Sequence, residues 1–592
     1  MKNSDFLGRC RPWLALAPII LFFLFIHKLD HLGSLKHHLW PELPVLAYFY
    51  ALFLMLLCKR PERYWLAALP SIVTYLAIGK YFIWLGSIPR ISDLQALPEL
   101  LGVLPWHQSV LVVGLLALPF LLILARLRVC NWHGLALMIL LPVLMTAASA
   151  FYPQQTWKVA RLMSNEVTEW SDVKTVKRNG RIFTLFLFEI RRKAMLASLR
   201  KYRNNPEYLE KMEKRIAILR AIPEKRNVHL IILESFIDPK LFTRVRYDHD
   251  PLHPNLRSLL KGRGGLGATS IFGGGSARSY FAILCGVPSL KMHHSVEYNL
   301  FTGAATGCLP KLLQAAGYRT IHSETFKPDF FNAIVAARGL GFEESYFPRE
   351  YAKKRKTYLS TGEIRAGWFM FDGKAYHQNL AFLQHIFQRS RRKPLLNYLV
   401  TTYGHAPFTR DARSRPVAIR ILAPRSAQNK KFNDYVNQTY YRSKALAHYV
   451  RELVKMNPDA LIIMAGDHAP PLPGGPEFYR QMGYLADTET TNAKHYHAFF
   501  AVLDRGQPVD VPLITHHDVL DFIINRLSDG EWCRRGHCIP RSPKKLEEEY
   551  MHVLAQATAR PDQTRGLMVI PAGAPQPGQH ARSMQAGDNR YR

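Results

Sequence analysis

Three apolar runs beyond residue 225 are each followed by side chains that can hold a metal ion or move a proton. The runs and the residues that follow them are Val228–Leu233 with Glu234, Leu395–Val400 with His405, and Ala460–Met464 with Asp467 and His468. Such runs are typical of buried strands, and in an open α/β sheet the carboxyl ends of the strands border the active site. Any one of these residues alone is more often structural. Together they predict a metal site, because Glu, Asp and His suit zinc or manganese.

A glycine-rich stretch supplies a hydroxyl that such a metal could activate. Gly273, Gly274 and Gly275 directly precede Ser276, and a helix is predicted after them, over Tyr280–Leu284. Backbone amides at a turn followed by a helix start favour a phosphoryl group. A hydroxyl held there beside a metal loses its proton more easily and can attack phosphorus. Ser276 is therefore the predicted nucleophile, and a plain flexible glycine loop is the alternative.

The order and spacing of these motifs resemble the lipoteichoic-acid-synthase-like branch of the alkaline phosphatase and sulfatase superfamily, and within it the phosphoglycerol transferase I family of Gram-negative bacteria. The resemblance covers about residues 226–525 and extends to the apolar N-terminal part. Its further stretches are Cys285-Gly286-Val287-Pro288, Cys308-Leu309-Pro310-Lys311-Leu312-Leu313 and Ala316-Gly317-Tyr318.

This resemblance implies a role for each candidate residue. The ligands of a divalent metal, Mn2+ or Zn2+, would be Glu234, Ser276, Asp467 and His468. Ser276 stands where the family has a nucleophilic threonine, and His405 matches a histidine at the phosphate or leaving group. The chain departs from the family in the head-group pocket, where a Trp-Asn-Arg motif is replaced by Phe331-Asn332-Ala333.

These roles predict transfer of a phospholipid head group, with phosphoglycerol favoured, by double displacement. Ser276 would attack phosphorus, release diacylglycerol and hold the head group as a phosphodiester. A hydroxyl of a glycan or lipid-linked acceptor would then receive the group, while His405 stabilises charge or protonates a leaving oxygen. His495 and His497, which precede the predicted strand Ala498–Leu503, are alternatives for that role, and a structural role for them is equally compatible with the sequence.

Three other functions remain open at this point. A phosphoethanolamine transferase would share the metal site and the nucleophile and would differ only in its head-group pocket. A sulfatase needs Cys or Ser in a Cys/Ser-x-Pro-x-Arg context. The stretch Ser276-Ala277-Arg278-Ser279 lacks that proline, and Cys285-Gly286-Val287-Pro288 has it one position late. A non-enzymatic membrane scaffold would leave the convergence of the four metal-site residues unexplained.

Five apolar segments predict an N-terminal membrane domain. They lie at about 13–27, 42–58, 64–84, 109–125 and 133–152. Roughly 17–25 residues cross a bilayer, so the first is short and the others are adequate. Basic residues concentrate before the first segment, between the second and third, and between the fourth and fifth, as the positive-inside rule requires. The predicted protein is a multi-pass protein of the bacterial inner membrane, with everything after about residue 153 in the periplasm.

The seven cysteines agree with this orientation. Cys10, Cys58 and Cys130 fall at predicted cytoplasmic ends of spans. The other four fall in the predicted periplasmic part, where disulfides form. Their proximity in sequence suggests the pairs Cys285–Cys308 and Cys533–Cys538, although sequence alone does not fix the connectivity. A structural zinc site is the alternative, for which the spacing is loose.

The remaining organisation follows from pattern and composition. Helical patterns over Leu309–Ala316 and Tyr440–Lys455 alternate with the apolar runs, which predicts an α/β domain. The predicted fold is a five-helix transmembrane domain over 1–152, a basic helical connector over 153–225, an alkaline-phosphatase/sulfatase-like α/β domain with a largely parallel central sheet over 226–556, and a disordered tail over 557–592.

The formal net charge of +33 bears on the partners. A basic protein can bind nucleic acid, but here the charge accompanies apolar spans, and no nucleic-acid-binding module is recognisable. Anionic lipid head groups are the better explanation. The predicted partners are the membrane, a phospholipid donor and a glycan or lipid-linked acceptor, with no nucleic acid.

Overall fold

The computed structural model describes most of the chain. The described residues are 39–57, 63–85, 88–98, 106–129, 131–167, 172–290, 296–354, 356–361, 369–389, 393–486 and 494–561, with single positions between 17 and 24 and at 101. Most of the predicted span at 13–27, three cysteines (Cys10, Cys58 and Cys130) and the predicted tail beyond residue 561 lie outside this description.

Apolar helices form the N-terminal part of the structure. They are α1 (Leu39–Leu56), α2 (Tyr64–Leu85), α3 (Trp106–Ala125) and α4 (Trp132–Phe151). Helices α2, α3 and α4 are long and apolar enough to cross a membrane, whereas α1 is shorter. Side chains of α3 and α4 are mostly exposed, as expected of helices that face lipid. The described residues therefore support three of the five predicted spans, and the number five is not confirmed.

The basic segments between these helices gather at one end of the N-terminal part. The Arg63 guanidinium donates to the carbonyl oxygens of Leu57 and Arg126, at 3.1 and 3.0 Å. The backbone amide of Arg128 donates to the carbonyl oxygen of Leu56. Two of the predicted cytoplasmic loops thus lie side by side, away from the α/β domain.

Four helices connect the apolar part to the α/β domain: α5 (Pro153–Met163), α6 (Asp172–Asn179), α7 (Arg181–Ser198) and α8 (Pro206–Ala221). Glu42 of α1 is fully buried and caps α7. Its two carboxylate oxygens accept the backbone amides of Ile182 and Phe183, at 3.0 and 2.8 Å. Because a helix N-terminus carries unpaired amides and partial positive charge, this cap fixes α7 on the membrane part.

The α/β domain is built on one large sheet. Its strands are β1 (Val228–Leu233), β3 (Gly265–Ala268), β4 (Arg319–Glu324), β5 (Glu344–Tyr346), β6 (Leu395–Thr401), β8 (Leu461–Gly466), β9 (His497–Asp504), β10 (Gln507–Val509) and β11 (Leu513–Thr515), and a separate ribbon pairs β2 (Arg246–Tyr247) with β7 (Ile421–Ala423). The order is β11-β3-β9-β8-β1-β6-β4-β5, with β10 on β9. Strands β8, β1, β6, β4 and β5 are parallel, and β9 is antiparallel to its neighbours. The largely parallel sheet is confirmed.

Helices cover both faces of this sheet. They are α9 (Pro254–Leu260), α10 (Ala277–Cys285), α11 (Leu309–Ala315), α12 (Ala333–Leu340), α13 (Asp372–Arg389), α14 (Lys430–Met456), α15 (Pro476–Gln481), α16 (Val519–Leu527), α17 (Glu531–Arg534) and α18 (Pro543–Ala557). Alternate residues of β1 enter opposite cores: Leu230 and Ile232 pack with α10 and α11, whereas Ile231 and Leu233 pack with α13 and α14. Burial on both faces explains why β1 is a continuous apolar run.

The described part of the chain contains two disulfides, Cys285–Cys308 and Cys533–Cys538. Both predicted pairs are confirmed, and the alternative of a zinc site made from these four cysteines is wrong. The first disulfide joins the last residue of α10 to the residue that precedes α11. It therefore anchors the helix that begins just after Ser276.

Glycines join the α/β domain to the end of α2. A Cβ atom at Gly475 would overlap the carbonyl oxygen of Ile83, and one at Gly273 would lie 3.4 Å from the Leu85 side chain. Gly274 lies next to the same leucine. We call these contacts of Gly273, Gly274 and Gly475 with residues 83–85 the glycine seam. It places the turn before Ser276 directly against the end of an apolar helix.

Candidate active site

The register of the central strands brings two carboxylates together. Leu233, the last residue of β1, pairs with Thr401 of β6 on one side and with Gly466 of β8 on the other. Glu234 and Asp467 each follow directly after these paired positions, so their side chains meet at one edge of the sheet. Both are buried, with exposed fractions of 2% and 0%.

Ser276 lies between Glu234 and His468. Its Oγ donates to Glu234 Oε2 at 3.1 Å and lies 3.0 Å from His468 Nε2. Ser276 is the N-cap residue of α10. The turn that delivers it needs glycine, because Gly273 and Gly275 have φ of 71° and 76°, in the left-handed region that disfavours other residues. The glycine stretch is therefore a shaped turn that presents the serine.

The turn after β1 is also strained and firmly held. Ser235 has φ of 50°, which is uncommon for a residue other than glycine. The Tyr435 hydroxyl bridges this turn, donating to the Ser235 carbonyl oxygen at 3.0 Å and accepting from the Ile237 amide at 3.2 Å. The Ser235 hydroxyl donates to Glu234 Oε1 at 2.7 Å. These bonds orient the Glu234 carboxylate.

Three of these residues fit a divalent metal ion. Ligand atoms of Glu234, Asp467 and His468 all lie within 4.8 Å of one another. Asp467 Oδ1 accepts the backbone amides of Ser235 and His468, at 2.6 and 2.7 Å. Asp467 Oδ2 is buried, forms no well-aligned hydrogen bond within the described residues, and lies 3.5 Å from His468 Nε2. A buried carboxylate oxygen without a donor is suited to a cation.

His468 presents the nitrogen that a metal would need. Its Nδ1 lies 3.0 Å from the carbonyl oxygen of Ala469, so that atom carries the proton. Nε2 then has a free lone pair towards Glu234 and Asp467, at 3.7 and 3.5 Å. A backbone carbonyl that fixes the tautomer is the usual support of a metal-binding histidine.

The pKa values of the two carboxylates also favour a bound cation. Burial and the neighbouring charge of Glu234 raise the pKa of Asp467 to about 7. Burial also acts to raise the pKa of Glu234, but the neighbouring imidazoles of His468 and His405 and the hydrogen bonds from the Ser235 and Ser276 hydroxyls outweigh it and lower that pKa. Two buried carboxylates this close repel each other, and a divalent cation would let both ionise.

His405 lies beside this cluster, on the segment after β6. Its Nδ1 lies 2.6 Å from the carbonyl oxygen of Ala406, which leaves Nε2 for a substrate. The ring is partly exposed and lies 4.9 Å from the ring of Phe369. Phe369 belongs to an aromatic cluster with Phe326, Phe330, Tyr351, Phe371 and Tyr403. His405 thus lies between the candidate metal ligands and this aromatic cluster.

The other candidates have structural partners. His497 begins β9, pairs with Ala268 of β3, and its Nδ1 lies 3.0 Å from the Lys494 carbonyl oxygen. The side chain of His495 lies outside the described residues. The Ser279 hydroxyl donates to the Asp467 carbonyl oxygen at 2.6 Å and contacts the Thr269 hydroxyl at 2.9 Å. Neither of these hydroxyls competes with Ser276 for the position between Glu234 and His468.

Sequence reasoning missed a buried ion pair behind Glu234. Arg442 of α14 pairs with Asp372, the first residue of α13, at 2.6 Å. The sequence contains a pattern that could have revealed this pair. Arg442 lies on the same face of α14 as apolar residues at helical spacing, which are Tyr435, Leu446 and Tyr449. A charged residue on such a face requires a specific partner.

Comparison with known families places the α/β domain. A model of the family described as Sulfatase matches residues 226–521, half of the chain. The chain therefore belongs to the sulfatase family. A search of the curated proteins found no significant match.

Several solved structures are similar to the chain. Streptococcus pyogenes phosphoglycerol transferase GacH in complex with sn-glycerol-1-phosphate is 17% identical, with TM-score 0.45, over 59% of this chain and 91% of that one. The lipoteichoic acid synthase LtaP of Listeria monocytogenes is 17% identical, with TM-score 0.41, over 53% and 78%. The lipooligosaccharide phosphoethanolamine transferase A of Neisseria meningitidis is 14% identical, with TM-score 0.45, over 88% and 95%. At these identities the substrate has to be argued from this chain's own residues.

Proposed function

We propose that this protein transfers a phospholipid head group, with phosphoglycerol as the favoured group, to a hydroxyl of a glycan or lipid-linked acceptor. The observation that carries the proposal is the position of Ser276, whose Oγ lies 3.1 Å from Glu234 and 3.0 Å from His468. The same turn rests on the end of an apolar helix at the glycine seam. A nucleophile beside a candidate metal site and a membrane helix suits a phosphorylated lipid.

The candidate metal ligands are Glu234, Asp467 and His468, with Ser276 as the fourth. A divalent cation there, Mn2+ or Zn2+, would lower the pKa of the serine hydroxyl and draw charge from the phosphoryl oxygens. The first step begins with Ser276 Oγ, whose proton has passed to water. This oxygen forms a bond to phosphorus while the bond from phosphorus to the diacylglycerol oxygen breaks. Protonated His405 gives its Nε2 proton to that leaving oxygen.

The second step reverses these roles. An acceptor hydroxyl gives its proton to His405 Nε2 and forms a new bond to phosphorus. The bond from phosphorus to Ser276 Oγ breaks, and the electron pair returns to that oxygen. His405 therefore ends the cycle protonated, as it began. Ser276 is the N-cap residue of α10, and the partial positive charge of that helix N-terminus would stabilise the developing negative charge.

Cations near His405 favour phosphoglycerol over phosphoethanolamine. In the aromatic cluster, the Lys327 ammonium lies 5.8 Å from the centre of the Phe326 ring, and the Arg415 guanidinium lies 4.1 Å from the centre of the Phe371 ring. An ethanolamine ammonium in this region would meet like charge, whereas the hydroxyls of glycerol would not. The phosphoethanolamine alternative shares every other element of the site.

Incubation with lipids labelled in the head group tests the proposal. Full-length protein in vesicles with Mn2+ should release diacylglycerol from phosphatidylglycerol and gain one phosphoglycerol on Ser276, as measured by mass spectrometry. Phosphatidylethanolamine in the same vesicles is the matched alternative donor, and a Ser276→Ala variant is the control. Modification by phosphoethanolamine alone would overturn the head-group assignment. Diacylglycerol release without modification of Ser276 would overturn the covalent mechanism.

We further propose that the protein is a multi-pass protein of the bacterial inner membrane, with the α/β domain in the periplasm. Support comes from the basic segments around Arg63, Arg126 and Arg128, which gather at the end away from that domain. Positive loops stay in the cytoplasm. The two disulfides of the α/β domain suit an oxidising compartment.

A further inference from the structure

Arg442 is a fully buried cation that takes no part in the proposed reaction. Its side chain is 0% exposed. Besides its ion pair with Asp372, its Nη2 donates to the backbone carbonyl oxygen of Glu234 at 2.7 Å. The guanidinium also lies over the ring of Phe236, 5.1 Å from its centre. Arg442 therefore holds the backbone of a candidate metal ligand from behind.

Asp372 extends this contact to the other side of the cleft. Its side chain is 1% exposed, and the backbone amide of Tyr403 lies close to its carboxylate. Tyr403 lies two residues before His405. The ion pair thus links the end of β1, where Glu234 lies, to the segment after β6, which carries His405.

Close packing and a second contact make this link rigid. A Cβ atom at Gly404 would overlap both the carbonyl oxygen of Glu234 and the Arg442 guanidinium. One turn earlier on α14, the Gln438 side-chain amide donates to the carbonyl oxygens of Tyr403 and Thr409, each at 3.0 Å. Helix α14 therefore holds the His405 segment at two points and Glu234 at one.

We infer that Arg442 and Asp372 are positioning residues, whose ion pair sets Glu234 at a fixed place relative to His405. Stability alone is a poor reason to keep such a pair, because well-packed apolar residues often replace buried ion pairs without loss. Partners that orient metal ligands, in contrast, commonly change metal affinity about 10- to 100-fold when they are altered. The inference rests on the metal site of the proposed function.

Mn2+ binding tests the inference without any lipid substrate. Full-length protein is purified, stripped of metal with a chelator and titrated with Mn2+ alone. The variant Arg442→Lys keeps the charge but cannot contact Asp372 and the Glu234 carbonyl oxygen at the same time. Its Mn2+ affinity should therefore fall about tenfold or more. Asp372→Asn should show a similar loss. Wild-type affinity in a folded Arg442→Lys protein would overturn the inference.

A matched ion pair separates positioning from general stability. Arg226 and Asp504 form another buried pair, with side chains 8% and 4% exposed, near the opposite end of β1. Arg226→Lys should lower the melting temperature as Arg442→Lys does, yet keep wild-type Mn2+ affinity. An equal loss of affinity in both variants would contradict the inference. If wild-type protein binds neither Mn2+ nor Zn2+, the proposed metal site fails, and the inference fails with it; if it binds only Zn2+, the same titrations are made with Zn2+.

Two double variants complete the design. If Arg442→Lys does not fold, the apolar replacement Arg442→Met with Asp372→Leu should fold and still bind Mn2+ more weakly; normal binding would overturn the inference. The link to His405 is measured by combining Arg442→Lys with His405→Ala. The loss of kcat in the combination should be smaller than the product of the single losses, because both changes disable one arrangement. Independent, multiplicative losses would contradict the link.

Discussion

At the residue scale, the roles of nucleophile and metal ligand can be separated experimentally. Ser276→Ala should abolish turnover while the protein still folds and binds Mn2+ or Zn2+ more weakly. The reason is that Glu234, Asp467 and His468 still supply three ligands, as in open catalytic sites. Asp467→Ala should lower both metal content and turnover. Metal analysis and a head-group release assay on the two purified variants check this.

The outcome that contradicts this assignment is near-normal turnover in Ser276→Ala. Ser279 and Thr269 would be the next hydroxyls to examine, although both already have partners around the Asp467 carbonyl oxygen. Ser542→Ala is the matched control, since it removes the same atom from the N-cap residue of α18 and should leave metal content close to that of the wild-type protein.

His229 gives a pH-dependent prediction away from the site. Burial lowers its pKa to about 3, so the folded protein keeps it neutral, whereas the unfolded chain protonates near pH 6.5. Between these values the unfolded state binds more protons, and the free energy of unfolding falls as the pH falls, by at most about 1.4 kcal/mol per pH unit. Between pH 8 and pH 5, the melting temperature of the wild-type protein should fall more steeply than that of the His229→Gln variant. Equal falls in melting temperature for the two proteins would refute the contribution of His229.

Most candidate residues were predictable because each follows an apolar run of the kind that is typical of buried strands. Glu234, Asp467 and His468 meet since parallel strands end at one edge, a rule that needs no side-chain detail. Arg442 was missed because it is distant in sequence and reaches the site through a backbone carbonyl oxygen. No local pattern records which carbonyl a buried guanidinium will contact.

At the element scale, α10 connects Ser276, the proposed nucleophile, to a disulfide. Ser276 precedes its first residue, and Cys285 at its end is bonded to Cys308. Replacing both cysteines with serine should lower the free energy of unfolding by about 3 kcal/mol, the chain-entropy value for a loop of this size. Removing the Cys533–Cys538 disulfide, which closes a loop of only a few residues, should cost less.

Denaturant unfolding of the two double variants, with metal present, measures the difference. An equal cost for both disulfides would show that loop length does not set their contribution. Because α10 also carries Ser276, the Cys285/Cys308 variant should lose turnover at temperatures where it is still folded, whereas the other variant should not.

Elements with a strong local pattern were predicted and those imposed by tertiary contacts were not. The helix predicted over Leu309–Ala316 is α11, within one residue. In contrast, β3 contains two glycines in four residues, a composition that disfavours strands, and it forms because β9 and β11 pair with it. Helix α14 is an exception: it begins ten residues before the predicted Tyr440, and Phe432, Tyr435 and Val436 form an apolar stripe there that the prediction missed.

At the scale of the whole molecule, orientation is the main prediction. A reporter enzyme that is active only in the periplasm should be active when fused after residue 230, because the α/β domain lies at the end of the helices away from the basic segments. The same reporter fused after residue 128, within those segments, should be inactive. Activity of a cytoplasm-only reporter after residue 230 would reverse the proposed orientation.

The glycine seam has a kinetic consequence. Leu85 at the end of α2 lies against the turn before Ser276. If the donor is a phospholipid, as proposed, it would reach this turn by lateral diffusion within one leaflet. The rate should then follow the mole fraction of donor in that leaflet and not its bulk concentration. Diluting the donor with an inert lipid at constant total donor should slow turnover in proportion, whereas adding more vesicles of unchanged composition should leave it unaltered. The encounter between donor and enzyme would then take place in the plane of the membrane.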